Sequence, residues 1–351
     1  MRTPVPTFHD DQGVFLADSC QPLVEASARG AVRLEALVHG HYPGCQLPSN
    51  ILPGLKTAGF WDALGPQDWG LPWHRNEGIE LCFLESGSVT FSTDESEWTL
   101  HPDNMTITRP WQRHCVGNPN IGACRLHWVI IDLKVRRPNQ EWKWPPWLVL
   151  SSDDLAELSN ILRHTERIVW HASSDLRRCF QSVAQAVQDS PNGSSVSALT
   201  VRLNELLLLL LLLVRRQELR LDEGLSSTRR TVELFLKELS RDREQLVSPW
   251  TVEQMAASCG LRVTQFVHHV RCLTNMTPMH YLSHCRLDYA AGLLLEYPKR
   301  SVTDISLDCG FSSSQYFATV FGARFECAPK EYRRLHEKPD PRLDHTVCSS
   351  A

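Results

Sequence analysis

No two of the twelve cysteines are spaced C-x-x-C, so the chain lacks the pattern of a zinc ribbon or a dithiol redox centre. Scattered over 351 residues, they predict reduced and mostly buried thiols rather than the disulfide framework of a small secreted domain. A strong charge of one sign is missing too. The formal net charge is −4, which by itself points to no polyanion or membrane surface. Long hydrophobic runs are equally absent. The leucines at 206–213, extended by Leu203 and Val214, are bracketed by Asn204-Glu205 and Arg215-Arg216. That run falls below the roughly 18 apolar residues a bilayer span needs and reads as a buried or partner-covered helix. Residues 1–20 are polar and contain proline, without the apolar stretch of a signal peptide. A soluble, cytoplasmic chain of two or three domains is the expectation.

What is present is a repeat. Thr251-Val252-Glu253-Gln254-Met255-Ala256-Ala257-Ser258-Cys259-Gly260-Leu261 is echoed fifty positions later by Ser301-Val302-Thr303-Asp304-Ile305-Ser306-Leu307-Asp308-Cys309-Gly310-Phe311. Each copy opens with a hydroxyl residue followed three places on by Gln or Asp, a helix-capping signature. Each continues as a short amphipathic helix, a glycine suited to positive φ, and a second helix. In the second helices Phe266, Val267 and Val270 match Tyr316, Phe317 and Val320. Cys259 and Cys309 stand where a small apolar residue packs before a turn, so they read as core filler. Two helix-turn-helix units in tandem point to a reader of DNA.

Charge is distributed to suit. Residues 1–227 hold 20 Lys and Arg against 26 Asp and Glu, a balance of −6; residues 228–336 hold 14 against 11, or +3, with five histidines besides. The repeat therefore lies in the mildly basic part, where phosphate contact belongs.

Along the chain, residues 1–20 read as a flexible arm. Residues 21–150 are β-like: Val32, Leu34, Ala36 and Val38 alternate with Arg33, Glu35 and Leu37, and segments 79–91 and 105–108 also read as strands. Many short strands suggest a sandwich or barrel. Residues 151–227 turn helical, with Leu155, Leu158, Ile161, Leu162 and Ile168 as a stripe, a break at 190–195, and an exposed hinge at 221–227. Residues 228–336 carry the repeat, and 337–351 read as a frayed tail.

From about 228 to 334 the chain closely resembles the AraC/XylS-type DNA-binding domain. The resemblance rests on Ala256, Gly260, Phe266, Tyr281-Leu282, Arg286-Leu287, Ala290, Leu293-Leu294, Ile305, Cys309-Gly310-Phe311, Tyr316-Phe317, Phe321, Pro329 and Tyr332-Arg333. It implies a transcription regulator bound to promoter DNA, with reading helices at 263–273 and 313–325. In the first, Thr264, Val267 and His268 fall where the family touches bases, with Arg262 and Arg271 on phosphate. In the second, which opens with Ser313 and Ser314, the matching positions are Gln315, Ala318 and Thr319. Gln pairs with adenine, Thr and Ala meet a thymine methyl, and His donates to guanine. Arg262 replaces the family's usual serine, so the first reading helix lacks the cap that Ser312 is expected to give the second.

Trp73-His74-Arg75-Asn76-Glu77-Gly78-Ile79-Glu80, Gly87, and Arg109-Pro110-Trp111-Gln112-Arg113-His114 with Asn118 resemble the cupin-type sensor domain that often precedes this DNA-binding domain. The usual His-x-His is His74-Arg75-Asn76 here. On an extended segment His74, Asn76 and Glu80 share a face, their separations being even. With His114 they could contact a small ligand, form a structural cluster, or hold a divalent metal. Ligand contact ranks first and metal third, so no cofactor is expected. Trp61, Trp69, Trp73, Trp98, Trp111 and Trp128 offer ring faces to a sugar, while Arg75, Glu80, Arg113 and His114 can meet hydroxyls. Trp142-Lys143-Trp144-Pro145-Pro146-Trp147 reads as a strap.

The expected protein is multidomain: an N-terminal all-β cupin-like barrel, a helical linker or dimerisation segment, and a C-terminal all-α domain with two helix-turn-helix motifs. It is expected to be a non-enzymatic homodimeric regulator, responding to a small effector, a carbohydrate, and touching RNA polymerase if it activates. Its effector residues would be His74, Arg75, Asn76, Glu80, Trp111, Arg113 and His114. The rivals are a metal-dependent cupin enzyme fused to a DNA-binding module, and an alkylation-repair protein, which would need clustered metal-binding cysteines.

Overall fold

The computed structural model describes residues 7–10, 13–16, 20–190 and 196–336. Most of the remaining arm and all of the tail at 337–351 lie outside the described residues. The chain forms two compact units that divide between Thr231 and Val232.

Within the expected arm, β1 (Thr7–Asp10) and β2 (Gly13–Leu16) pair antiparallel. Helix α1 (Gln21–Ala28) follows, then β3 (Arg33–Val38), β4 (Cys45–Gln46), β5 (Leu55–Ala63), β6 (Leu71–His74), β7 (Ile79–Gly87), β8 (Val89–Thr93), β9 (Glu97–Leu100), β10 (Asn104–Thr108), β11 (His114–Val116) and β12 (Cys124–Ile131). Helix α2 (Ser152–His164), strand β13 (Val169–His171), α3 (Ser174–Gln188) and α4 (Val196–Arg215) complete the first unit's regular elements. Seven strands order as β13-β10-β7-β12-β5-β3-β4 and four as β6-β11-β8-β9, two ladders that do not close into one ring among the described residues.

Strand parity decides what each face meets. On β12, Leu126, Trp128 and Ile130 enter the core shared by the two sheets, whereas Val129 and Ile131 enter the core that holds the helices. Both faces are therefore covered over the second half of the strand, where Trp128-Val129-Ile130-Ile131 is apolar without alternation. Gly87 turns β7 into β8 at φ 81°, and a Cβ there would lie 2.0 Å from the Ala123 carbonyl oxygen. Only glycine fits this close approach.

The leucine run belongs to the outer core. Helix α4 has 20 residues and is apolar enough to cross a membrane by length and composition, longer than the leucines alone suggested. Yet Leu199, Leu203, Leu206, Leu207, Leu210, Leu211 and Val214 are buried in the first unit. Buried Asn204 locks it: its Oδ1 accepts from Val149 N at 2.7 Å and its Nδ2 donates to Thr200 O at 2.9 Å. The tryptophan strap ties sheet to helices, with Trp144 Nε1 donating to Ser159 Oγ on α2 and Trp147 Nε1 to Pro53 O. The segment expected as a hinge is exposed at 221–224, but it forms a 3-10 turn, Glu223–Ser226, that contacts α2.

The second unit is helical: α5 (Thr228–Arg241, whose first turn belongs to the first unit), α6 (Arg243–Val247), α7 (Val252–Ser258), α8 (Val263–Thr274), α9 (Pro278–Glu296), α10 (Val302–Asp308), α11 (Ser314–Phe325) and α12 (Pro329–His336). Each repeat builds its own core. Met255, Ala256, Cys259, Phe266 and Val270 cluster with Val232, Leu236 and Leu282; Ile305, Cys309, Phe311, Phe317 and Phe321 cluster with Leu287, Ala290, Leu293 and Leu294. Helix α9 gives Leu282 to one core and residues from Leu287 onward to the other. The connector is thus apolar on more than one face, and at 19 residues it spans about 28 Å.

Candidate functional site

The helix-turn-helix pair is built from local signals. Thr251 caps α7 in a full capping box with Gln254, and the Ser301 hydroxyl accepts from Asp304 N at 3.0 Å. Gly260 and Gly310 take φ 65° and 77° at the turns. Gly310 is also crowded: a Cβ there would sit 2.7 Å from Val247 O. Cys259 and Cys309 are fully buried, and burial pushes the Cys309 thiol up to about 12, as packing thiols require.

Helices α8 and α11, where the reading helices are expected, each turn a polar face outward. On α8, Thr264, His268 and Arg271 are exposed and Val267 is half-buried, while Phe266 and Val270 face the core. Arg262 stands at the N-cap without a side-chain cap bond and is exposed. On α11, Gln315, Ala318 and Thr319 are exposed, and the Thr319 hydroxyl donates to Gln315 O at 3.1 Å. The cap of α11 is Ser313, not Ser312: its hydroxyl accepts from Tyr316 N at 3.2 Å. Three serines in a row offer three candidates, and only the backbone turn chooses among them. Ser313 is thereby engaged in capping, and Ser314 is half-buried at the first turn.

Arg286 was visible in sequence only as a motif position, but in the fold it holds the pair together. From α9 its guanidinium donates to Leu246 O at 2.9 Å, to Ser248 O at 2.6 Å and to Gly310 O at 2.8 Å. One side chain thus joins the approach to the first repeat with the turn of the second. Arg324 of α11 forms a two-pronged pair with Asp288 of α9, at 2.6 and 2.8 Å.

The first unit holds a pocket between its two sheets, lined by Cys20, Leu23, Tyr42, Pro43, Trp61, Leu71, His74, Asn76, Glu80, Cys82, Val116, Leu126, Trp128 and Ile130. His74, Asn76 and Glu80 converge there, though not as neighbours on one extended strand. Strand β6 ends at His74 in the small sheet and Glu80 lies on β7 in the large one. The residues meet because the two sheets share an interior. His74 and His114 are cross-strand partners, with ring centroids 4.3 Å apart.

At this polar end Glu80 Oε2 accepts from Asn76 Nδ2 at 3.0 Å and from Thr108 Oγ1 at 3.3 Å, and lies 2.9 Å from His114 Nε2. Burial alone would raise the Glu80 carboxyl. The facing His114, by charge and hydrogen bond, and then His74 outweigh it and bring the pKa to about 2. Tyr42 seats its hydroxyl against the buried Glu77 carboxylate and 3.2 Å from Asn76 Oδ1, and burial followed by the Glu77 charge raises its pKa.

Three expected contacts lie elsewhere. Arg113, just before β11, stacks 4.3 Å over Trp73 and pairs with Asp94 at 2.8 Å. Trp111 directs its indole N–H to Val135 O at 2.7 Å, while its backbone N–H holds Asn76 O at 2.8 Å. Arg75 is half-buried and not part of the pocket wall. All three stand in the connections that flank β6 and β11, outside the strands, so nearness to His74 and His114 in sequence does not aim them into the pocket. Of the six tryptophans expected to offer ring faces, Trp61 and Trp128 line the pocket, and Trp69, Trp73, Trp98 and Trp111 are not part of its wall. Tyr42 comes from a loop and left no signal.

His74, Glu80 and His114 bring donor atoms within 4.8 Å of one another. Each histidine also engages a backbone carbonyl through Nδ1, Pro72 O at 2.7 Å and Gln112 O at 2.9 Å, the orienting contact typical of metal-binding histidines. The trio fits a divalent cation with three protein ligands and an open position.

A helix-turn-helix domain model matches residues 255–335 and a cupin domain model residues 60–130. The chain is 32% identical over 298 residues to the HTH-type transcriptional activator RhaS of Shigella flexneri serotype 5b (strain 8401), covering 84% of this chain and 94% of that protein. It is 50% identical over 60 residues, 17% of this chain and 21% of the relative, to the HTH-type transcriptional activator RhaR of Mannheimia succiniciproducens. An AraC-type regulator structure from Chromobacterium violaceum matches 31% of this chain and 96% of its own length, at 26% identity and a TM-score of 0.28. The two domain models and the relative matched over most of both chains define a regulator with a cupin-like N-terminal domain and a C-terminal helix-turn-helix domain. The chain belongs to the AraC/XylS family of transcription regulators.

Proposed function

We propose that the protein reads promoter DNA through the outward faces of α8 and α11 and answers to a small hydroxylated effector, of the carbohydrate class, in the pocket of the first unit. The observation that carries the reading is the pair of helices α8 and α11, each with a buried apolar side and an exposed polar one, bridged by a connector of about 28 Å. Thr264, His268, Gln315, Ala318 and Thr319 are the base-facing residues, Val267 adds an apolar contact, and Arg262, Arg271 and Ser314 face the backbone. RNA polymerase becomes a further partner if the output is activation.

Two protomers pair through α4. Ala198, Val201, Leu208 and Leu212 are exposed on it, at spacings that continue a 3-4 apolar stripe through half-buried Glu205. Footprinting on the promoter tests both points. Each protomer should protect two major-groove segments about 34 Å apart on one face, and a dimer should double that pattern. A lone protected segment would contradict the docking mode, and a single pair would remove the dimer.

For the effector, Trp61 and Trp128 supply ring faces, and Glu80, Asn76 and His74 supply polar partners. With Tyr42 and Pro43 in place the enclosed space is about 30 Å³, whereas a ring such as benzene occupies a cavity of about 150 Å³. Binding therefore needs the loop between Gly40 and Gly44 to move, and tryptophan emission should shift on titration with its sugar. A panel of simple sugars and polyols that leaves emission unchanged at millimolar concentration would count against the carbohydrate class. A metal, when bound at the trio, would supply a coordination anchor for a ligand hydroxyl.

A further inference from the structure

We propose that the segment after α4 is a clasp on α2, and that the polar end of the pocket sets its grip through Arg109 and His164. This rests on the effector reading of that pocket and adds how its occupancy leaves the first unit.

The segment is pinned at several points. Gln217 accepts from Arg167 at 2.9 Å, the Asp222 N–H donates to His164 O at 2.7 Å, and Leu219 packs against the outer core. The Ser226 hydroxyl lies 2.8 Å from His164 Nε2. Asn160 Oδ1 lies 3.0 Å from Nδ1 of the same ring, and the Ser226 hydroxyl also reaches Glu223 O at 3.3 Å, so the ring is held from both sides. Arg230 reaches Glu95 at 3.1 Å further on. All of these partners belong to the first unit.

The other end starts in the pocket. Thr108, the last residue of β10, donates to Glu80. The next residue, Arg109, donates from Nη1 to Thr165 O at 3.0 Å, and Thr165 is the residue that closes α2. A guanidinium at a helix C-terminus meets carbonyls that carry partial negative charge, so its position bears on the end of that helix. His164 is one residue away. Between the Glu80 carboxylate and the clasp there are thus one strand end, one guanidinium and one helix end. A ligand that engages Glu80 competes for the Thr108 donor, biasing a docked and a released segment by its differential affinity for the two.

Limited trypsin digestion of the full chain reads the clasp directly, because Arg216 and Arg220 are exposed on it. Ser226→Ala should speed cleavage after these two residues by about 5–10-fold, the loss of one hydrogen bond in a local opening. Thr108→Val, at the pocket end, should speed it about threefold or more at temperatures where the first unit stays folded by circular dichroism. Arg109→Lys, which keeps the charge but loses the planar fork, is the second variant should Thr108→Val fold poorly, and should act in the same direction. Unchanged cleavage in Ser226→Ala would overturn the clasp; a response in Ser226→Ala alone would overturn its coupling to the pocket. The readout uses neither promoter nor effector, so it separates failure of this proposal from failure of the effector reading.

Discussion

Replacing Arg286 with alanine is expected to destabilise the C-terminal unit by about 3–5 kcal/mol. Hydrogen bonds to a charged group contribute roughly 1.5–3 kcal/mol each, and three from one guanidinium do not add in full. The cost is raised because the carbonyls of Leu246, Ser248 and Gly310 would lose their donor together. Half-burial tempers it, since water can replace part of the loss. For a unit of this size the thermal transition should fall by more than about 10 °C, followed by far-ultraviolet circular dichroism. Arg286→Lys should recover only part of this, because one ammonium cannot reach three carbonyls in a planar fan. A transition that stays in place would mean that the two repeats are held in register by their apolar contacts with α9 alone.

That role was not legible in the sequence, and the reason is physical. The acceptors of Arg286 are backbone carbonyls, which every residue has, so no side-chain pattern announces them. The repeat itself was legible because its signals are local: Thr251 with Gln254, Ser301 near Asp304, and glycine at each turn act within four residues. Where locality left a choice, among the serines at 312–314, the cap was misplaced by one.

The pocket was harder. Its polar end was readable as His74, Asn76, Glu80 and His114, since side chains of that kind rarely enter a core without partners. The walls are readable only in part: Trp61 and Trp128 stand among six tryptophans that composition cannot rank, and Tyr42 is brought in by a loop without a pattern of its own. Arg113 and Trp111 are near His114 in sequence but stand in the turn before β11, where strand alternation does not set their direction. The leucine run foretold burial but not how much of it lies against its own chain. The segment at 221–227 read as a hinge from composition, while its hold on α2 depends on His164, about sixty residues earlier.

In the proposed docking mode α8 and α11 meet DNA at once, and promoter titration of the wild-type chain and three variants over a salt series tests it. Gln315→Ala and Thr319→Ala should each weaken promoter binding by roughly 1–3 kcal/mol and relax preference for one base pair, with the salt slope unchanged. Arg271→Ala should weaken binding to all sequences alike and flatten the slope by about one unit. If all three variants bind promoter DNA with wild-type affinity and slope, the outward faces of α8 and α11 are not the reading surfaces.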